Sequence, residues 1–215
     1  LAKKTATTKF VGNIEIHAKA FKEAGKVIEQ IEQIQPKSPA ITDLRGRLAA
    51  AGGDKKAAVS QFRQLWNKVK TDEAGFKLYQ SLTANDAAAA QKFLDEWQTA
   101  LPKSDAPFFL RGMQEYQKGN ATQAIKHYES ALTRNENNVV TLNNLALIYA
   151  ETGDPRALSL SEKAYKLQPE NPAVLDTHGW ILVQRGETKK GVDLLERAHS
   201  ALPNSAEIKT HLDQA

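Results

Sequence analysis

Apolar residues in this chain recur at helical spacing, three or four positions apart, in stretches of about a dozen residues separated by polar breaks. No stretch shows the alternation of β-branched residues expected of a strand, so the pattern predicts an all-α protein. Val140–Glu151 reads as one apolar-rich helix, Gly153-Asp154-Pro155 interrupts it, and Ala157–Leu167 starts another. Gly153 suits the left-handed conformation that ends a helix, and Pro155 suits the first turn of the next. Similar breaks fall at Gly52-Gly53-Asp54, Asn85-Asp86, Gly119-Asn120 and Gly186-Glu187. Pro36, Pro102, Pro169 and Pro203 lie where second helices should stop, because proline lacks the N–H and clashes with the preceding turn.

These breaks keep a ruler. Gly112, Ala124 and Ala131 recur after 34, 33 and 33 positions as Ala146, Ala157 and Ala164. They recur again after 33, 34 and 34 as Gly179, Gly191 and Ala198. Tyr128, Ser161 and Leu195 each follow the middle marker by four residues. Going backwards, Ala90 and Leu94, Ala58 and Phe62, and Ala24 and Ile28 hold the same places, with Gly46 and Gly12 as earlier small markers. Six copies result, at about 5–38, 39–70, 71–104, 105–138, 139–171 and 172–205, with a capping helix at 206–215. A helix pair of this size cannot bury its apolar face alone, so the copies are expected to stack as one right-handed α-solenoid domain spanning 1–215. Small residues at the markers let helix axes approach closely.

The offsets resemble the tetratricopeptide repeat: small, small twelve later, large four after that, then Ala and Pro. The fit is strong in copies four to six and weaker in the first three, where Leu78 replaces the first small marker and Lys70 the proline. Two runs are more specific: Leu142-Asn143-Asn144-Leu145-Ala146 with Gly153-Asp154-Pro155-Arg156-Ala157-Leu158, and Pro169-Glu170-Asn171-Pro172 leading into Thr177-His178-Gly179-Trp180. They resemble the C-terminal repeats of bacterial lipoproteins that accompany exosortase/PEP-CTERM sorting and exopolysaccharide export. That resemblance implies a scaffold at the cell envelope, lipid-anchored through a preceding segment, with a cytoplasmic location as the alternative. The chain begins with Leu and no leader pattern follows, as expected of a processed or excised part of a longer protein.

In tetratricopeptide arrays the first helix of each copy lines the concave face, where partners lie. The groove offsets fall on Phe109, Met113, Tyr116 and Gln117 in copy four, and on Val140, Asn143, Leu147 and Glu151 in copy five. In copy six they fall on Asp176, Trp180 and Gln184. Apolar anchors with a polar rim suit a peptide or helix. The same side chains could instead pack between copies; Tyr116 and Asn143 are assigned to the groove. A generic assembly or co-chaperone module is a second reading. A third is polysaccharide binding, with Tyr79, Tyr116 and Trp180 stacking on sugar rings and Asn143 and Gln117 bonding hydroxyls. The two-carboxylate clamp for chaperone tails fails, since Lys9 and Asn13 match but Leu44, Asp72 and Phe76 do not. An asparagine ladder fails too, with Asn144 alone at its offset.

Composition narrows the chemistry. Hydrophobic residues are 41%, charged residues 25% and aromatics 7% of 215, which suits a folded chain with an aliphatic core. Without Cys there are no disulfides, thiolate metal sites or cysteine nucleophiles. The net charge of +4 is split, with 17 basic and 11 acidic residues up to 104 against 12 and 14 beyond, and no basic stripe suggests nucleic acid. No apolar run approaches the roughly 18 residues of a membrane helix. The histidines at 17, 127, 178, 199 and 211 have no zinc spacing, and no nucleophile-elbow or P-loop motif occurs. His178 is expected as a packed, hydrogen-bonded side chain, and Asp95-Glu96 beside Trp97 as solvated charge. The chain is therefore read as non-catalytic, with no cofactor and no metal.

Overall fold

The computed structural model describes residues 21–215, and every described element is a helix. The first half of copy one, with Lys9, Gly12, Asn13 and His17, lies outside the described residues. The chain divides into two compact units between Pro102 and Lys103, at the edge between copies three and four.

The first unit holds α1 (Phe21–Ile34), α2 (Pro39–Ala51), α3 (Lys55–Val69), α4 (Asp72–Thr83) and α5 (Ala87–Ala100). Each helix packs on the next in sequence. Side chains of Asp54, Thr71 and Asp86 accept backbone N–H bonds at the starts of α3, α4 and α5, satisfying donors that no helical carbonyl can reach. The stop after α3 differs from the rest. Lys70, where other copies have proline, takes a left-handed φ of 44°, the only such non-glycine among the described residues. The core is aromatic: Trp66, Phe93 and Trp97 are fully buried, with Trp66 and Phe93 meeting edge to face at 5.1 Å.

Copy three corrects the marker alignment. Gly75, not Leu78, is the close-approach residue, because a Cβ there would lie 2.5 Å from the Trp97 ring. Elsewhere the small residue meets a ring sixteen positions on, as in Gly46 with Phe62 and Gly112 with Tyr128. In copy three the bulk comes from a residue 22 positions on, which a fixed ruler does not find. Asp95 and Glu96 are both exposed, as expected of solvated charge, and Glu96 has a structural role besides. Glu96 accepts the indole N–H of Trp66 at 2.6 Å and pairs with Arg63 and, at 3.7 Å, with Lys70. It bridges α3 and α5 while its side chain stays 41% exposed.

The second unit holds α6 (Ala106–Gln117), α7 (Ala121–Leu132), α8 (Val139–Glu151), α9 (Ala157–Leu167), α10 (Pro172–Gln184), α11 (Thr188–Ala201) and α12 (Ala206–Gln214). Three helix pairs, α6–α7, α8–α9 and α10–α11, correspond to copies four to six, and α12 is the cap. First helices also pack on first helices, α8 on α10 and α10 on α12. The hairpin turns use Gly119, Gly153 and Gly186 at φ of 79°, 74° and 85°, where a side chain would be strained. Pro155 stands in the turn, and α9 begins at Ala157, after the Asp154 carboxylate has accepted the N–H of Arg156. Second helices α9 and α11 stop two residues before Pro169 and Pro203.

Candidate functional site: the first-helix face of the second unit

The sequence-derived groove residues all lie on α6, α8 and α10, one layer of the second unit. Phe109, Met113 and Tyr116 are half-buried, packed against a core cluster that includes Tyr128, Leu145, Ile148 and Tyr149. Their apolar surface thus serves stability as well as any partner. Tyr116 keeps its polar end outward, and its hydroxyl donates to Glu151 Oε1 at 2.7 Å, joining α6 to α8. Burial, with Glu151 second, pushes this phenol well above its ordinary pKa, so it stays a donor throughout the working range. Gln117 and Gln184 are exposed, Leu147 is half-buried, and Val140 is 54% exposed.

Asn143 has a different character. Its Oδ1 is buried and accepts no hydrogen bond from the described residues. A buried acceptor without a partner costs about 1–3 kcal/mol. Its neighbour Asn144 is committed internally, donating to the Tyr128 hydroxyl at 3.4 Å.

On α10, Asp176 is only 5% exposed, and its Oδ1 lies 2.8 Å from Nδ1 of His211 on α12. Burial raises the Asp176 pKa, and His211 opposes the rise. Trp180 stacks nearly parallel on the same imidazole, with centroids 4.7 Å apart and planes 8° from parallel. Asp176 and Trp180 are therefore brought together by a residue to which sequence reading gave no role. The Tyr116–Glu151 and Asp176–His211 pairs both span 35 positions, one more than the 34-residue repeat. Each pair joins neighbouring first helices one position past homologous places, so the ruler by itself does not find His211, while Glu151 already stands among the groove offsets.

His178 lies on another face of α10. It is buried, with Nδ1 3.0 Å from Ser161 Oγ and its ring stacked on Tyr165 at 5.2 Å. His178 and Tyr165, with Leu182, Lys189 and Arg197, border a surface cleft of about 420 Å³. Burial pushes the His178 pKa below its ordinary value, against the pull of Glu162 and Glu187. The unfolded chain therefore takes up the proton first. Stability contributed by neutral His178 is full above its unfolded pKa and is lost as pH falls through the folded one. Melting curves between about pH 8 and about pH 5 should show a shallower acid-side loss in His178→Leu than in the unaltered protein.

The helix-pair repeats and their small-against-large contacts define the fold of the tetratricopeptide-repeat proteins. Comparison with solved structures agrees. The chain superposes on the Cut9–Hcn1 tetramer of the APC/C with a TM-score of 0.66 at 15% identity, over 91% of this chain and 40% of that one. It superposes on YrrB, described as a TPR protein with an unusual peptide-binding site, with a TM-score of 0.55 at 12% identity over 87% and 98%. Among curated sequences, the TPR repeat-containing protein PA4667 of Pseudomonas aeruginosa is 26% identical over 171 residues, covering 74% of this chain and 28% of that protein. The photosystem I assembly protein Ycf3 of a Synechococcus strain is 30% identical over 107 residues, covering 48% and 62%. Cellulose synthase operon protein C of Pseudomonas fluorescens is 34% identical over 99 residues, covering 45% and 8%. The chain thus spans less than two thirds of each of these three relatives. No family model matches it. Among the described residues, no helix is long and apolar enough to cross a membrane.

Proposed function

We propose that the first-helix face of α6, α8 and α10 holds a peptide or helix of a partner protein, and that the chain acts as an assembly scaffold for exopolysaccharide export or PEP-CTERM sorting at the bacterial envelope. The observation that carries the binding reading is Asn143. A buried amide oxygen left without an internal partner, beside half-buried Leu147 and exposed Val140, suits a backbone N–H delivered by a ligand. The names of two relatives support an assembly or export setting: photosystem I assembly for Ycf3, and a cellulose synthase operon for the Pseudomonas fluorescens protein. Sugar stacking has less support, because Trp180 already lies against His211, and Tyr79 is 7% exposed.

A photo-crosslinking residue placed at Gln117 or Gln184 tests the face directly, with exposed Lys126 on α7 as the control position. In envelope extract, the two groove positions should yield the same protein adduct and Lys126 none. Adducts from Lys126 alone, or none from either glutamine position, would sink the reading. Asn143→Ala should abolish the adduct while the melting temperature holds or rises, since the variant removes an unpaired acceptor.

A further inference from the structure

Asp176, Glu207 and His211 each offer one ligand atom, and these atoms all lie within 4.8 Å of one another. We propose that these three side chains bind a divalent transition-metal ion, which clasps the capping helix α12 to α10. The inference stands independently of partner binding on the first-helix face.

The donors come from two helices. Glu207 and His211 are four residues apart on α12, so both project from one face of that helix. Asp176 enters from α10, one repeat earlier, and is itself 5% exposed, which fixes its carboxylate in place. Asp176 Oδ1 and His211 Nδ1 are hydrogen-bonded at 2.8 Å, so an ion about 2.1 Å from each needs the two atoms to part by about half an ångström. Exposed Glu207 reaches the same ion by rotating its side chain. Trp180, stacked on His211, holds the imidazole in the orientation that presents Nδ1.

Donor chemistry selects the ion. One imidazole nitrogen with two carboxylates suits zinc, nickel or cobalt, whereas calcium and magnesium prefer all-oxygen sets with more ligands. Solvent on the Glu207 side supplies the remaining positions. Binding replaces the hydrogen bond between His211 and Asp176 with two bonds to a dipositive ion. The consequence is mechanical. Contacts between α12 and the rest of the unit are few, with Ile208 its one buried apolar residue, so a metal bridge is a large addition to what holds the cap.

Titration calorimetry and thermal melting of the whole chain with zinc chloride, and separately nickel chloride, test the proposal. One ion per chain should bind and raise the melting temperature. His211→Ala also removes a contact that holds α12. Exposed Glu207→Gln is therefore the deciding variant, since it removes a ligand and no packing; each variant should weaken binding about tenfold or more. No binding heat, equal affinity in Glu207→Gln, or magnesium binding as tightly as zinc would overturn the site. Cross-linking from Gln117 in metal-free buffer separates the outcomes: partner capture there with no metal binding leaves the scaffold reading intact.

Discussion

Gly191→Ala is expected to destabilise the protein by about 2 kcal/mol, although alanine in place of glycine inside a helix ordinarily gains about 1 kcal/mol. The reversal is geometric. A Cβ on Gly191 would lie 2.5 Å from the carbonyl oxygen of Gly179 and 2.9 Å from the backbone N of Val183. A Cβ on Gly179 would in turn lie 2.8 Å from the carbonyl oxygen of Gly191. Backbone cannot rotate away as a side chain can, so α10 and α11 would have to part, and overpacking of that kind costs about 1–3 kcal/mol. For a chain of this length, a fall of about 4–8 °C in melting temperature follows. Gly25→Ala is the matched control. It also lies within a helix, but among the described residues a Cβ there meets nothing within 4 Å, so it should gain about 0.5–1 kcal/mol. Equal effects from the two substitutions would show that α10 and α11 are not in backbone contact.

Trp97→Ala should cost more, about 3–5 kcal/mol, the range for emptying a fully buried indole site. Trp97 is surrounded by Phe76, Phe93 and Trp66, with centroids 5.1, 5.7 and 5.9 Å away, and its indole N–H donates to Asp72 Oδ1 at 2.9 Å. It also fills the space left by the missing side chain of Gly75. Truncation therefore opens a cavity that no neighbouring backbone can close, and removes a hydrogen bond between α4 and α5. Urea unfolding should register the loss, and hydrogen exchange should place it in α3, α4 and α5. Trp97→Phe keeps most of the ring volume and loses the N–H, so it should fall between the two. A loss below about 1 kcal/mol in Trp97→Ala would mean that the aromatic cluster is not a packed core.

Much of this architecture was legible in the sequence because a repeat states its own rule several times. Gly112 with Tyr128 and Gly179 with Leu195 mark where two helices close, and the glycines at 119, 153 and 186 mark where the chain reverses. Such features depend on one residue's steric bulk or φ, and a one-dimensional ruler reads them. What exceeded the ruler depends on which side chain reaches across. Trp97 displaced the expected small-residue register of copy three onto Gly75. Glu96 is exposed as solvated charge should be, yet it also accepts the Trp66 indole N–H and pairs with Arg63, contacts that spacing does not announce.

The groove shows the same division. Spacing placed Tyr116, Asn143, Leu147, Asp176 and Trp180 on one layer, because equivalent positions of successive first helices must face the same way. The distribution of their polar atoms was settled by tertiary contacts. Tyr116 donates to Glu151, Asn143 Oδ1 finds no donor, and Asp176 and Trp180 converge on His211. By itself, then, the sequence determined the helix pairs, their period and the layer that the first helices form, since local sterics and burial periodicity act along the chain. Only the tertiary structure decided which polar groups on that layer are spent and which remain available, because hydrogen bonds and ligand sites require atoms a repeat apart to meet within about 3 Å.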